Sequence, residues 1–220
     1  MRSAASLALV AALLGACASG PPVPDWESNS KTAMDHAVAA YLTGDTRLAA
    51  SDFERARSEI ARTGRIDLLG RAELVRCAAQ VASLVFEPCE AFEKLRPDSA
   101  APERAYADYL AGRVQPQDIA LLPPQHHAVA SATLSTENAV AALRAIEDPF
   151  SRLVAIGVLF QTGRASPAVI AVAADTASAQ GWRRPLLAWL NVQLALAEKA
   201  GDTGDAAQLR RRIEVVQGDK

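Results

Sequence analysis

Residues 37–56 read AVAAYLTGDTRLAASDFERA. Two alanine-rich runs flank the dipeptide Gly44-Asp45. Downstream of it, Ala49, Phe53, Ala56 and Ile60 recur at i, i+4, i+7 and i+11, the spacing of one face of a helix. A glycine just past a periodic run ends a helix, and an aspartate after it starts the next. The stretch therefore predicts two helices joined by a tight turn. Alanine is the strongest helix former and, being small, lets the two helices approach closely.

Working outward, the same grammar covers the rest of the chain. A first helix is expected from near Ser28 to Gly44, and a second up to Gly64. Glu87-Pro88 separates a third helix, about 66–84, from a short fourth, about 88–95. Pro97 and Pro102 bracket a loop before a helix near 102–112, and Gly112, Pro116 and Pro123-Pro124 mark further breaks. Asp148-Pro149, Gly163, Gly181 and Gly201 close later segments. Near the end, Leu187, Leu190, Leu194 and Ala197 repeat the helical spacing. No stretch sustains the period-2 alternation of a strand. The expectation is an all-α body over residues 28–217, of roughly eleven short helices in stacked helix-turn-helix hairpins, either an α-solenoid or an irregular bundle. Gln115 to Ser135 is the least regular stretch, which makes 113–134 a candidate hinge.

Residues 37–56 resemble one tetratricopeptide repeat. Ala37, Gly44, Ala49, Phe53 and Ala56 occupy the small, turn, small, aromatic and small positions of that pattern. A weaker echo lies at 183–216, around Trp189, Ala197, Gly201-Asp202 and Ala206. The resemblance implies a surface that binds other proteins. Residues 65–180 depart from the 34-residue period, so a regular array and an irregular bundle both stay open.

The N-terminus reads MRSAASLALVAALLGAC. Arg2 precedes an apolar run from Ala4 to Leu14, followed by small residues and Cys17, the layout of a secretory signal. The run is too short for a bilayer-spanning helix, which needs about 20 residues. Leu14-Gly15-Ala16-Cys17 resembles the lipobox of bacterial lipoproteins. The resemblance implies cleavage of residues 1–16, a diacylglycerol on the Cys17 thiol and acylation of the new amine. Two or three acyl chains suffice for stable anchoring, whereas one is marginal. Ala18, where an aspartate would favour the inner membrane, implies the periplasmic face of the outer membrane. Residues 17–27 read as a tether stiffened by Pro21, Pro22 and Pro24.

Two cysteines remain, Cys77 and Cys89. An even number in an oxidising compartment suggests a disulfide. With Phe86-Glu87-Pro88 as the turn between antiparallel helices, however, the two thiols stand at unequal heights. A bridge and two buried thiols are both open.

The formal charge is −2, and removal of Arg2 with the signal takes it to −3. Nucleic acid is not an expected partner on this balance. No GxSxG, HExxH, phosphate-binding or dinucleotide-binding motif occurs, and no CxxC or paired histidine suggests a metal. Of the three histidines, His36, His126 and His127, the last two are adjacent and diverge on a helix, so they read as a solvated loop pair. Glu54, Glu59, Glu73 and Glu103 lack the serine, glycine and aromatic setting of a muramidase acid. Arg210-Arg211-Arg212 is expected to serve the end of the last helix and to pair with Glu214. Trp189 reads as core; Trp26 and Trp182 read as candidate exposed anchors.

The expected function is therefore a membrane-anchored scaffold or assembly factor that binds envelope proteins, non-enzymatic and without cofactor or metal. A peptidoglycan-acting enzyme or its activator, which needs a cleft with a buried carboxylate, is the first alternative. A carrier of a lipid or apolar ligand, which needs a closed cavity, is the second.

Overall fold

The computed structural model describes residues 23–131 and 136–218. The signal, the lipobox Leu14-Gly15-Ala16-Cys17 and residues 17–22 of the tether lie outside the described residues, as do 132–135 at the end of the candidate hinge. Every regular element among the described residues is helical: α1 (Asp25–Thr43), α2 (Thr46–Ala61), α3 (Ile66–Ala82), α4 (Glu90–Glu93), α5 (Ala101–Leu110), α6 (Pro124–Ala130), α7 (Thr136–Ala145), α8 (Pro149–Gln161), α9 (Pro167–Ala179), α10 (Arg183–Ala200) and α11 (Thr203–Gln217), with short 3-10 turns at Arg96–Asp98 and Pro116–Leu121. The expected all-α architecture is what forms. No helix among the described residues is long and apolar enough to cross a membrane.

α1 starts at Asp25, three residues before the expected Ser28. Pro24 supplies the carbonyl that receives the Glu27 and Ser28 amides, and Asp25 and Glu27 place negative charge at the positive end of the helix. Asp25, Trp26 and Glu27 are thus helix, not tether. Trp26 is half-buried, and Trp182 packs partly against the core, so neither is a freely exposed anchor.

The hairpin of α1 and α2 turns at Gly44, whose φ of 100° suits a residue without a Cβ. The Gly44 amide bonds back to Ala40 and Tyr41, and the Asp45 carboxylate accepts from the Leu48 amide to start α2. The predicted face of α2, Ala49, Phe53, Ala56 and Ile60, is buried in full. α3 runs through the middle, touching α1 and α2 on one flank and α4, α5 and α8 on others. At Gly157 α8 comes so near α3 that an added Cβ would stand 2.4 Å from the Val81 carbonyl oxygen. α9, α10 and α11 stack onward from α8, and α10 returns to touch α1.

One large core joins α3 to α11, and Leu122 and Val129, from the segment read as a candidate hinge, lie inside it. A small second cluster holds Ala37, Phe53, Ile60 and Ala72. Arg152 closes α7 by donating to the carbonyls of Leu143 and Ile146, and Asp148 caps α8 through the Ser151 amide.

His126 and His127 are not a solvated loop pair. They sit on α6, with His126 buried against Tyr106 and Tyr109. The Tyr109 hydroxyl is 3.3 Å from His126 Nδ1, and His127 Nε2 donates to the Leu122 carbonyl at 2.7 Å. Pro123 and Pro124 start this helix rather than breaking one, since proline is well placed in a first turn.

α3 ends at an unexpected residue. Leu84 takes φ 61°, the left-handed conformation usually left to glycine, and the Val85 amide reaches back to the Gln80 carbonyl. The packing of Leu84 against the main core offsets the backbone cost. The chain then runs without regular structure to Cys89, which precedes a fourth helix of only four residues rather than the expected eight. Cys77 and Cys89 are joined, with Cα atoms 6.0 Å apart. The height mismatch expected for two helices does not arise. The five helical steps from Cys77 to Ala82 rise about 7.5 Å, and the five extended steps from Leu84 to Cys89 can retrace up to about 16 Å.

Candidate functional site

The α1–α2 hairpin meets α3 along a groove of about 240 Å³. Its floor is built of small residues, Ala37, Ala49 and Ala79, one from each helix and all buried. Met34, Val38 and Tyr41 of α1 and Phe53 of α2 form its walls. Helical spacing explains this local order: residues 34, 37, 38 and 41 fall at i, i+3, i+4 and i+7, one stripe of α1. Small floor residues leave room for a bulky side chain from outside.

The rim is charged. Glu54 stands on α2 and Arg76 on α3, both exposed. The Arg76 guanidinium lies 5.1 Å from the centre of the Phe53 ring, a cation–π contact that holds one wall upright. Below the rim, Glu73 is buried and held by Arg76 at 3.1 Å. Arg57 Nε also comes within 3.0 Å of Glu73, as an ion pair whose N–H is not aimed at the carboxylate. A buried carboxylate without such partners would be strongly destabilising.

Two groove residues, Tyr41 and Thr46, are also held by α10. The Arg184 guanidinium of α10 lies 4.3 Å from the centre of the Tyr41 ring and donates to the Tyr41 carbonyl at 2.6 Å and to Thr46 Oγ1 at 2.7 Å. Burial pushes the Tyr41 phenol above its ordinary pKa; Arg184 opposes this and Glu87 adds to it.

The four glutamates considered for catalysis are not brought together as a set. Each is paired with arginine: Glu54 with Arg57 at 3.6 Å, Glu73 with Arg76 and that same Arg57, Glu59 with Arg62 at 2.8 Å, and Glu103 with Arg71 at 2.7 Å. His36 is exposed on α1. Arg210 pairs with Glu198 of α10 at 2.5 Å, not with the expected Glu214. A contact between neighbouring helices prevailed over one within α11. Among the described residues, no group of three or more His, Cys, Asp or Glu side chains is placed to hold a metal ion.

Sequence reasoning anticipated Ala37, Ala49 and Phe53 as packing positions. It missed Met34, Tyr41 and Arg76 as groove residues, and Arg184 as the partner of Tyr41. The stripe in α1 was a legible signal for the first two. Arg184 had none, because it meets Tyr41 across 143 residues of chain.

The described body is thus an all-α assembly of helical hairpins, with an apolar, charge-rimmed groove where the first hairpin meets α3. No family model, no curated protein and no solved structure matches the chain.

Proposed function

We propose that this chain is a lipid-anchored lipoprotein of the bacterial envelope, attached through Cys17 at the periplasmic face of the outer membrane, whose helical body holds a segment of a partner protein. In this reading the body works by binding, without catalysis or cofactor. The observation that carries it is the groove itself. Open clefts with aromatic and aliphatic walls, a small-residue floor and a polar rim suit a helix or peptide that inserts one or two bulky apolar side chains. The α1–α2 hairpin, with Ala37, Ala49, Phe53 and Ala56 buried around the Gly44 turn, supports tetratricopeptide-like packing of that surface. The anchor rests on Leu14-Gly15-Ala16-Cys17, and the position of Ala18 favours the outer membrane.

The test uses intact cells. Cross-linking of the full-length protein, followed by purification from membranes, is expected to recover one dominant envelope protein. Ala50→Arg places a long charge in the groove from an exposed position and should abolish that capture while leaving the melting temperature unchanged. Capture unaffected by Ala50→Arg would place the partner elsewhere and defeat the groove reading. Cys17→Ser should release the protein from membranes; retention of the variant would defeat the anchor.

A further inference from the structure

We infer that residues 84–89 form a redox-sensitive strap: reducing the Cys77–Cys89 bond lets this segment lift off the main core and uncover Phe160, while the helices on either side stay folded. The inference concerns the helical body alone, so it stands whether or not the groove holds a partner.

Three observations carry it. The first is what opposes the closed strap. Two unfavourable residues stand in succession at its start. Ser83 Oγ is buried with no hydrogen-bond partner, and Leu84, alone among the described non-glycine residues, takes a positive φ. A buried hydroxyl left unpaired and a left-handed leucine each raise the free energy of the closed form. The Val85 amide bonds to the Gln80 carbonyl, but beyond it the amides of Phe86, Glu87 and Cys89 find no acceptor among the described residues. Strain of this kind persists only where the surroundings over-determine it.

The second is what holds the strap down. Leu84, Phe86 and Cys89 are half-buried against the main core, and the Phe86 ring stacks on Phe160 at 6.4 Å. The bond from Cys89 to Cys77 ties the far end of the strap to α3. The two ends of the segment are fixed without that bond. Before it, Trp189 Nε1 donates to the Ala82 carbonyl and α8 lies against Val81 at Gly157. After it, Phe92 of α4 is fully buried. Reduction therefore leaves residues 83–89 as a loop between two anchored helices, with packing alone opposing the relief of Ser83 and Leu84.

The third is access. Both cysteines line a cleft of about 320 Å³ on the flank of α3, with Glu87, Pro88 and Arg113 exposed beside them. Cys89 is half-buried and Cys77 is only 4% exposed, so an incoming thiolate meets Cys89 first. The reductant is a dithiol. Its first sulfur bonds to Cys89 Sγ as the disulfide breaks, and the electron pair leaves on Cys77 Sγ, which takes up a proton. Its second sulfur, as thiolate, then attacks the first and releases Cys89, which is protonated in turn. The dithiol ends as a disulfide, and two electrons and two protons have passed to the protein.

The test follows the full chain with and without dithiothreitol under native conditions. In the reduced protein the amides of Leu84 and Val85 should exchange about tenfold faster or more, while those of Val154 to Leu159 in α8 keep their rates. The ring protons of Phe160 should shift as Phe86 leaves them, and removal of the reductant in air should restore both signals. The Cys77→Ser/Cys89→Ser double variant should open in the same way without reductant, seen as new chymotrypsin cleavage after Phe86. Should the double variant fail to fold, exchange in the unaltered chain decides. A bond that resists dithiothreitol until the whole body unfolds would overturn the inference. So would unchanged exchange at Leu84 and Val85 once the bond is reduced, or an equal loss of protection in α8.

Discussion

The first hairpin, α1–α2, and the last, α10–α11, are written in the same local language and do different work. Each turns at a glycine in the left-handed conformation, Gly44 or Gly201. Each starts its second helix with an aspartate whose carboxylate accepts from the amide three residues on, at 2.9 Å in both cases. Yet the aromatic of the first hairpin, Phe53, belongs to the small cluster beside the open groove. The aromatic of the last, Trp189, is fully buried in the main core. It donates from Nε1 to the Ala82 carbonyl at 3.2 Å and meets Phe160 edge-on at 5.5 Å. Turn chemistry therefore builds a hairpin, and the neighbours that cover it decide whether it becomes a core or a surface for binding.

The largest expected effect tests that contrast directly. Trp189→Ala should cost about 3–5 kcal/mol, since it empties a core site and orphans a buried carbonyl. Phe53→Ala should cost about 3 kcal/mol or less, because the adjoining groove already lacks packing on one side. Urea unfolding of both variants measures the gap. Equal losses would mean that the two aromatics are equally embedded, and the contrast would fail.

Acid comes next and acts on neither hairpin but on α6, which sits between them in the chain. Burial, reinforced by His127 and opposed by Asp148, holds His126 down to a pKa of about 4. Its folded pKa thus lies below the unfolded value of about 6.5. Below pH 6.5 the unfolded chain takes up the proton first, so stability is complete above that pH and falls as pH drops toward 4, by roughly 3 kcal/mol. A His126→Gln variant should show a flatter stability profile over this window. An unchanged slope would show that other groups control the acid response.

Reduction of Cys77–Cys89 follows in size. The bond closes a loop of 12 residues at the end of α3, and opening it should cost about 2–3 kcal/mol, read as a lower melting temperature in reductant. Amide exchange should quicken around residues 83–89, with little change in α11. The smallest effect concerns the shared turns. Asp45→Ala and Asp202→Ala should each cost about 1 kcal/mol, and similar amounts, because each removes the same capping bond. A marked inequality would show that the two turns are not equivalent after all.

Much of this fold was readable in one dimension because its signals are local. The helical periods of α2 and α10, the glycines after α1 and α10, and the aspartates before α2, α8 and α11 act within four or five residues. The misreadings share one cause. His126 and His127 read as a solvated loop pair because adjacent side chains diverge on a helix, and the prolines before them mark a break in the sequence although proline also opens helices. Leu84 carries no sign of a left-handed turn, so the path that lets Cys89 reach Cys77 was hidden. The candidate sites were only partly legible. The Met34–Tyr41 stripe was visible as a periodicity, but not as a groove wall. The meeting of Glu103 with Arg71 spans 32 residues of chain, and that of Tyr41 with Arg184 spans 143.

What the sequence determined by itself is the class of structure: helices, their faces, the turns between them and the alanine-rich closeness of α1 and α2. These depend on backbone hydrogen bonds and side-chain size over a few residues. What only the tertiary structure decided is which faces remained uncovered. The groove beside Phe53, the contact of Trp189 with Ala82 and the half-partnered carboxylate of Glu103 each arise where helices distant in sequence meet, and such contacts are a property of the whole assembly rather than of any segment.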